Sequence, residues 1–337
     1  MSFSIKFEGT LRWHKQEVTS IDFDETNQMM VTGARDKKVV LWNLSEPKPE
    51  CPGVPEKSFT GHSHYVSDVH FSESGNYILS SSWDKMLRLH DVKNPLTPDT
   101  LFVDHKNDIL TCCIYSNKLV ISGGRDGIRL WSVKGEKRGT IEIPTSESTP
   151  VSVQNWVVSL VCVPQGSENP LIVAATYGGP VYVFKHGANS YAVEHIWDAP
   201  KELGAPVQAL CCAPDGSLVA GAARNGRIGI WDVSSNSLVY TLGDESTSPA
   251  NSVRFMPDHF CLVAATEANV ALYDLDNKKL AASVELVDEK EEEAAEGKSN
   301  KPVAAKCITC TEDGRLLVGA KDGRVFVYSV HLDDDDE

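Results

Sequence analysis

Short runs with apolar residues at every second position or denser recur along the chain, separated by tight turns. Val39-Val40-Leu41-Trp42, Ile128-Arg129-Leu130-Trp131 and Val325-Phe326-Val327-Tyr328 are the clearest examples. Runs of this length, apolar at least at every second position, predict β-strands whose apolar faces are buried. The runs recur as a unit: a β-rich stretch, a tight turn carrying Asp, Asn, Glu or Gly, and a second short strand ending in an aromatic residue or His plus a polar one. Seven units follow one another. They are Arg35-Asp36-Lys37 with Trp42-Asn43, Trp83-Asp84-Lys85 with His90-Asp91, Arg125-Asp126-Gly127 with Trp131-Ser132, Tyr177-Gly178-Gly179 with Phe184-Lys185, Arg224-Asn225-Gly226 with Trp231-Asp232, Thr266-Glu267-Ala268 with Tyr273-Asp274, and Lys321-Asp322-Gly323 with Tyr328-Ser329.

Successive anchors stand 41 to 55 residues apart, the spacing of WD repeats with loop insertions. A four-stranded blade cannot bury both of its faces alone, so the repeats must stack into a ring. The expectation is an all-β, seven-bladed WD-repeat β-propeller filling residues 1–330. The last anchor, Tyr328, leaves too little chain for a fourth strand after it. The strand-like segment Ser4-Ile5-Lys6-Phe7-Glu8 is therefore expected to close the seventh blade, removing a free edge that invites aggregation. In each turn the Asp or Asn is expected to tolerate left-handed backbone and to bond nearby amides.

Composition adds limits. The net charge is −15, of which residues 288–296 and the terminal Asp333–Glu337 carry −5 each. The segment 287–302 has almost no large apolar residue and is expected to be a mobile acidic loop, with 331–337 an acidic tail. The remaining propeller is close to balanced, which keeps nucleic-acid contact open. No apolar run reaches the length of a membrane helix, and the N-terminus lacks the charge and apolar stretch of a signal peptide, so no membrane insertion is expected and the cytoplasm is the default location. The nine cysteines read as reduced core residues. Cys307 and Cys310 have the spacing of half a zinc site, but no second pair follows. Phosphate-binding glycine loops, metalloprotease and nucleophile-elbow motifs are absent from the sequence, so neither a cofactor nor an enzymatic activity is expected.

Gly61-His62-Ser63-His64-Tyr65-Val66-Ser67-Asp68-Val69, continued by Ser80-Ser81-Ser82-Trp83-Asp84-Lys85 and Leu87-Arg88-Leu89-His90-Asp91, resembles the second repeat of the receptor for activated C kinase family, the Gβ-like WD proteins of the eukaryotic small ribosomal subunit. Gly33-Ala34-Arg35-Asp36-Lys37, Asp215-Gly216-Ser217-Leu218 and Leu238-Val239-Tyr240-Thr241-Leu242 extend the resemblance over essentially the whole chain. His90 stands where the family has Trp, and the fourth repeat has lost its turn Asp and its Gly-His pair, which marks a divergent member. The resemblance implies a non-catalytic scaffold on the small (40S) ribosomal subunit. Blades 1 and 2 would dock on rRNA and ribosomal proteins, and the rest of the perimeter would recruit protein kinases and translation factors; DNA is not an expected partner. It places the docking residues at Arg35 and Lys37, with Lys38, Lys57 and Lys85 beside them. Arg can grip phosphate oxygens in a fork and Lys adds a compact charge. Trp83 and Tyr240 are candidate partner contacts. His14, His62 and His105 are expected to be structural, each bonded to the turn Asp of its own blade (Asp36, Asp84 and Asp126). The alternative is a Gβ-like signalling adaptor that works apart from the ribosome.

Overall fold

The computed structural model describes residues 2–46, 52–94, 96–144, 153, 156–165, 169–188, 190–244, 247–257, 259–287 and 302–333. They build seven four-stranded antiparallel sheets. Six consist of four consecutive strands. The seventh joins Ala305–Cys310, Arg315–Ala320 and Arg324–Asp333 to the N-terminal strand Ser2–Arg12. That strand runs antiparallel to Arg324–Asp333, with partners from Ser2 with Asp333 through to Arg12 with Arg324 and a bulge between Phe7 and Gly9. It is longer at both ends than the Ser4–Glu8 segment expected from the sequence. Its partner strand also takes in positions 331–333, which the sequence reading placed in the tail. The acidic segment 288–301, the last residues 334–337 and Cys51 lie outside the described residues.

The core sits in the seams. Alternate residues of each sheet pack against the next blade, so the buried clusters each straddle two blades. Val31, Val39 and Leu41 of blade 1 meet Val66, Val69 and Ile78 of blade 2. Leu11, Val325 and Val327 of blade 7 meet Val18, Ile21 and Trp42 of blade 1, which locks the ring shut. The second strand of a blade must let the next blade's innermost strand come close, and small residues permit it. A Cβ on Gly33 would stand 2.6 Å from Val66 Cγ1, and one on Gly319 would stand 2.7 Å from Val18 Cγ1.

The innermost strands line a central channel. Ser20, Ser67, Asp68, His70, Thr111, Ser159 and Arg254 face a cavity of about 160 Å³ there. No helix among the described residues is long and apolar enough to cross a membrane. The one helix described, Ala199–Leu203, is a single short turn capped by the Asp198 side chain.

Candidate functional site: the face of the tight turns

In each of the first three blades, four side chains tie the turn to the sheet. In blade 1 His14 Nδ1 donates to Asp36 at 3.0 Å, Thr32 Oγ1 lies 2.8 Å from His14 Nε2, and Trp42 Nε1 donates to Thr32 Oγ1 at 2.9 Å. Blade 3 repeats this with His105, Asp126, Ser122 and Trp131 at 2.6, 2.8 and 2.9 Å. Blade 2 keeps His62–Asp84 at 2.8 Å and His62–Ser80 at 2.9 Å, but its fourth member is His90, whose Nε2 lies 2.9 Å from Ser80 Oγ. Burial alone would raise the carboxyls of Asp36, Asp84 and Asp126. The histidine bonds, with the amides of Lys15, Ser63 and Lys106, outweigh burial and hold all three below the usual carboxylate range.

His90 introduces a conflict that an indole does not. The Ser80 hydroxyl has one proton and two imidazole nitrogens facing it, whereas an indole N–H only donates. The other nitrogen of His90 is held by Asp99 at 2.9 Å, and Asp99 also takes Arg88 at 3.0 Å. Burial lowers the His90 pKa from 6.5, and the pull of Asp99 does not restore it. A base with a depressed folded pKa takes up protons more readily when unfolded, so it weakens the fold as pH falls below about 6.5. The His90→Gln variant should therefore lose less stability than wild type between pH 7 and pH 5 in urea titrations; equal losses would refute this assignment.

Blade 5 replaces the histidine with the short helix. Trp231 Nε1 donates to Glu202 at 3.0 Å, Asn225 Nδ2 donates to the Leu203 carbonyl at 2.8 Å, and Trp197 lies flat on Trp231 at 5.3 Å.

The left-handed backbone falls one residue later than the sequence suggested. It belongs not to the turn Asp but to the residue after it: Lys37 at φ 72° and Lys85 at φ 73°, with Gly127, Gly226 and Gly323 in the equivalent turns. The Asp instead accepts from the amide two residues on, as Asp36 does from Lys38 at 3.2 Å.

The structure separates the expected basic residues. Lys37 and Lys85 project at turn tips and are exposed; Lys38 is half-buried. Neither Lys37 nor Lys38 has an ion-pair partner among the described residues. Arg35 is exposed but turned toward the channel, paired with Glu17 at 3.2 Å and lying over the Tyr65 ring at 5.5 Å. Lys57 is not on this face. It stands mid-strand opposite Leu41, its ammonium 4.0 Å above the Phe59 ring. Its Nζ is shielded with no hydrogen-bond partner among the described residues, and burial lowers its pKa despite the charges of Asp99 and Asp91. Trp83 sits on the rim of the channel mouth, stacked on His64 at 5.6 Å and near Tyr65 at 5.5 Å. Tyr240 packs between blades 5 and 6 with its hydroxyl buried and Lys278 over its ring at 4.8 Å. Among the described residues no cluster of His, Cys, Asp or Glu could hold a metal ion. Cys307 is buried and Cys310 half-buried; burial pushes both thiols up, Cys310 to about 12.

Comparison with known proteins agrees with this architecture. The family model for the WD domain, G-beta repeat, matches residues 5–43 and 53–91, and that for the anaphase-promoting complex subunit 4 WD40 domain matches residues 166–313. The chain is 31% identical over 337 residues to the small ribosomal subunit protein RACK1 of Caenorhabditis elegans, covering 97% of each. It is 30% identical to RACK1 of Neurospora crassa over 98% of this chain and 99% of that one. The chain belongs to the RACK1 family. A further relative, MST50-interacting protein 11 of Pyricularia oryzae, is 31% identical over 98% of this chain and 99% of its own length. Among the described residues of this chain the His–Asp ties occur in blades 1 to 3, and blade 2 carries His90 where blades 1 and 3 carry Trp42 and Trp131.

Proposed function

We propose that the protein is a non-catalytic, cytoplasmic scaffold of the small ribosomal subunit that docks on rRNA and ribosomal proteins through blades 1 and 2. Full-length similarity to proteins named for that subunit supports the ribosomal reading. The observation that carries the site is the first turn. Lys37 holds a left-handed conformation that the turns of blades 3, 5 and 7 give to glycine, on a segment braced by His14 and exposed at its tip. Non-glycine residues in that region cost about 1 kcal/mol, and a side chain kept there at such a cost suits a contact. Lys38 and Lys85 lie on the same face and would join it; Lys57 would not. Structured RNA is read largely by shape and backbone, so a few fixed cations suffice on an acidic chain. Free perimeter on blades 3 to 7 would then serve kinases and translation factors.

The test is sedimentation of cell extract on sucrose gradients. Wild type should travel with the 40S subunit, and Arg35→Asp/Lys37→Glu should move to the light fractions. Wild type found only in light fractions would leave the alternative, an adaptor working apart from the ribosome. Lys37→Gly sharpens the result: it should raise stability by up to about 1 kcal/mol in urea titrations while lowering ribosome affinity. Gain in stability with undiminished co-sedimentation would remove Lys37 from the site.

A further inference from the structure

Two cysteines meet in the seam between blades 3 and 4. Cys113 stands on the innermost strand of blade 3, Ile109–Tyr115, opposite Ile121; Cys162 stands on that of blade 4, Val157–Val163, opposite Ile172. Alternation along the strand turns Cys112 toward the core between blades 2 and 3 and Cys113 toward the core between blades 3 and 4, where Cys162 also packs. The two sulfurs lie 2.7 Å apart, and both thiols are free. Among the described residues no other two cysteine sulfurs come this close. Both side chains are half-buried, near the strand ends that point away from the tight turns, whereas Cys112, Cys211, Cys261 and Cys307 are buried. Tyr191, from the outer strand of blade 4, packs in the same seam. Its hydroxyl is shielded and has no hydrogen-bond partner among the described residues. Burial, and then the nearby Cys162 and Cys113, push its phenol up. The seam therefore holds an unpaired donor beside two sulfurs, a setting that admits a small polar oxidant.

We propose that Cys113 and Cys162 are a modification site: hydrogen peroxide converts them to a reversible disulfide that staples blade 3 to blade 4. A disulfide holds its sulfurs about 2.05 Å apart, so closure from 2.7 Å needs only small turns of two side chains. The chemistry runs in two steps. The thiol that ionises first attacks one peroxide oxygen; an S–O bond forms, the O–O bond breaks, and the departing hydroxide takes up the released proton as water. The sulfur of the second thiol then attacks the sulfenic sulfur; the S–S bond forms, the S–O bond breaks, and hydroxide leaves with the second thiol's proton as water. Two thiols and one peroxide give one disulfide and two waters, with two electrons passing from sulfur to oxygen. A dithiol reductant restores both thiols by exchange. Only the thiolate attacks, and burial followed by the neighbouring Cys162 pushes the Cys113 thiol up, so the pair answers sustained rather than trace peroxide. The two residues are 49 positions apart. A bridge between them closes a long loop, which chiefly restricts the unfolded chain, and the oxidised ring opens less readily. This inference goes beyond the scaffold reading and does not depend on it.

The experiment treats the purified full-length chain with excess hydrogen peroxide under native conditions, then blocks the remaining thiols with N-ethylmaleimide. Non-reducing tryptic digestion and tandem mass spectrometry should find the peptides of Cys113 and Cys162 joined, with the loss of two hydrogens. Dithiothreitol should release them. The cross-link should be absent from Cys113→Ser and from Cys162→Ser, both of which keep Cys112. Oxidised wild type should unfold in urea about ten-fold more slowly than reduced wild type, and neither variant should gain from oxidation. Should either variant fold poorly, the wild-type digest and its reversal by dithiothreitol still decide, since they need no substitution. Thiols that stay unoxidised, sulfinic or sulfonic acid at either cysteine without the cross-link, bridges that use Cys112 or join two chains, or a cross-link that leaves the unfolding rate unchanged would each overturn the proposal.

Discussion

Deletion of Ser2–Arg12 is expected to abolish cooperative folding. The strand supplies the outer edge of blade 7, pairing along its whole length with Arg324–Asp333. Leu11 is buried at 2% exposure, and Phe3, Ile5 and Phe7 pack against the blade 6–7 core. Phe7 alone touches Tyr328 at 5.6 Å and Phe326 at 6.4 Å. Full burial of such a side chain stabilises by about 1.5–3 kcal/mol. With three of the four partly buried, the strand contributes on the order of 5 kcal/mol before its hydrogen bonds are counted. That is comparable to the whole stability of many domains. The loss also unlatches the ring, because the blade 7–blade 1 seam contains Leu11. The truncated chain should elute as aggregate on size exclusion and show no cooperative urea transition. Adding the segment back as a synthetic peptide should recover part of the transition. A monomeric truncation melting within about 1 kcal/mol of wild type would show that closure does not depend on this strand.

The ring itself was legible because its cause is local. Period-two alternation and a turn every repeat are properties of neighbouring residues, and seven of them in register leave one way to bury both faces of each sheet. The His–Asp ties of blades 1 to 3 were legible for the same reason: each joins residues about 22 apart inside one repeat, as His14 and Asp36 are. What stayed hidden lies between repeats. Arg125 carried no signal alone; its setting comes from Trp83 one blade before and Trp156 one blade after. The column that holds Arg35, Trp83, Arg125, Tyr177 and Arg224 was visible in the repeat alignment, but only the closed ring brings its members within contact. Lys57 shows the converse. Its position in sequence placed it near the basic turn, while strand register put it mid-sheet over Phe59. The short helix that stands in for a histidine in blade 5 was also not expected, since a single turn leaves no periodicity to read.

His70→Ala is expected to destabilise the protein by about 2–4 kcal/mol, and the loss should depend on pH in a defined direction. His70 faces the channel between two carboxylates, Asp68 at 3.3 Å and Asp22 at 3.7 Å. Asp68 is also a junction of three blades: Ser20 of blade 1 donates to it at 2.7 Å, and the Cys112 amide and Thr111 hydroxyl of blade 3 donate at 3.0 and 3.2 Å. Arg254 and Lys306 are the other charged side chains lining this cavity on the innermost strands. Burial would lower the His70 pKa, but the charge of Asp68 and the bonds to both carboxylates raise it to about 10. Asp68 moves the other way, below the usual carboxylate range: burial opposes, and the charge and bond of His70 prevail. Removing one partner of such a cluster strands the other charges, an effect of about 3–5 kcal/mol when fully buried. About a quarter of the ring is open to the channel, so the lower range applies. A histidine with a raised folded pKa binds its proton more tightly when folded. Its contribution is complete below the unfolded value near 6.5 and fades as pH rises toward 10. The stability gap between wild type and His70→Ala should therefore be widest at pH 6 and shrink at pH 9.5, measured by urea titration of both proteins at each pH. Other groups titrate in that range, but they are common to both proteins and cancel in the difference. A gap that is constant with pH would mean that His70 serves only as packing. A gap that widens toward alkaline pH would mean that its neutral form is the one the fold prefers.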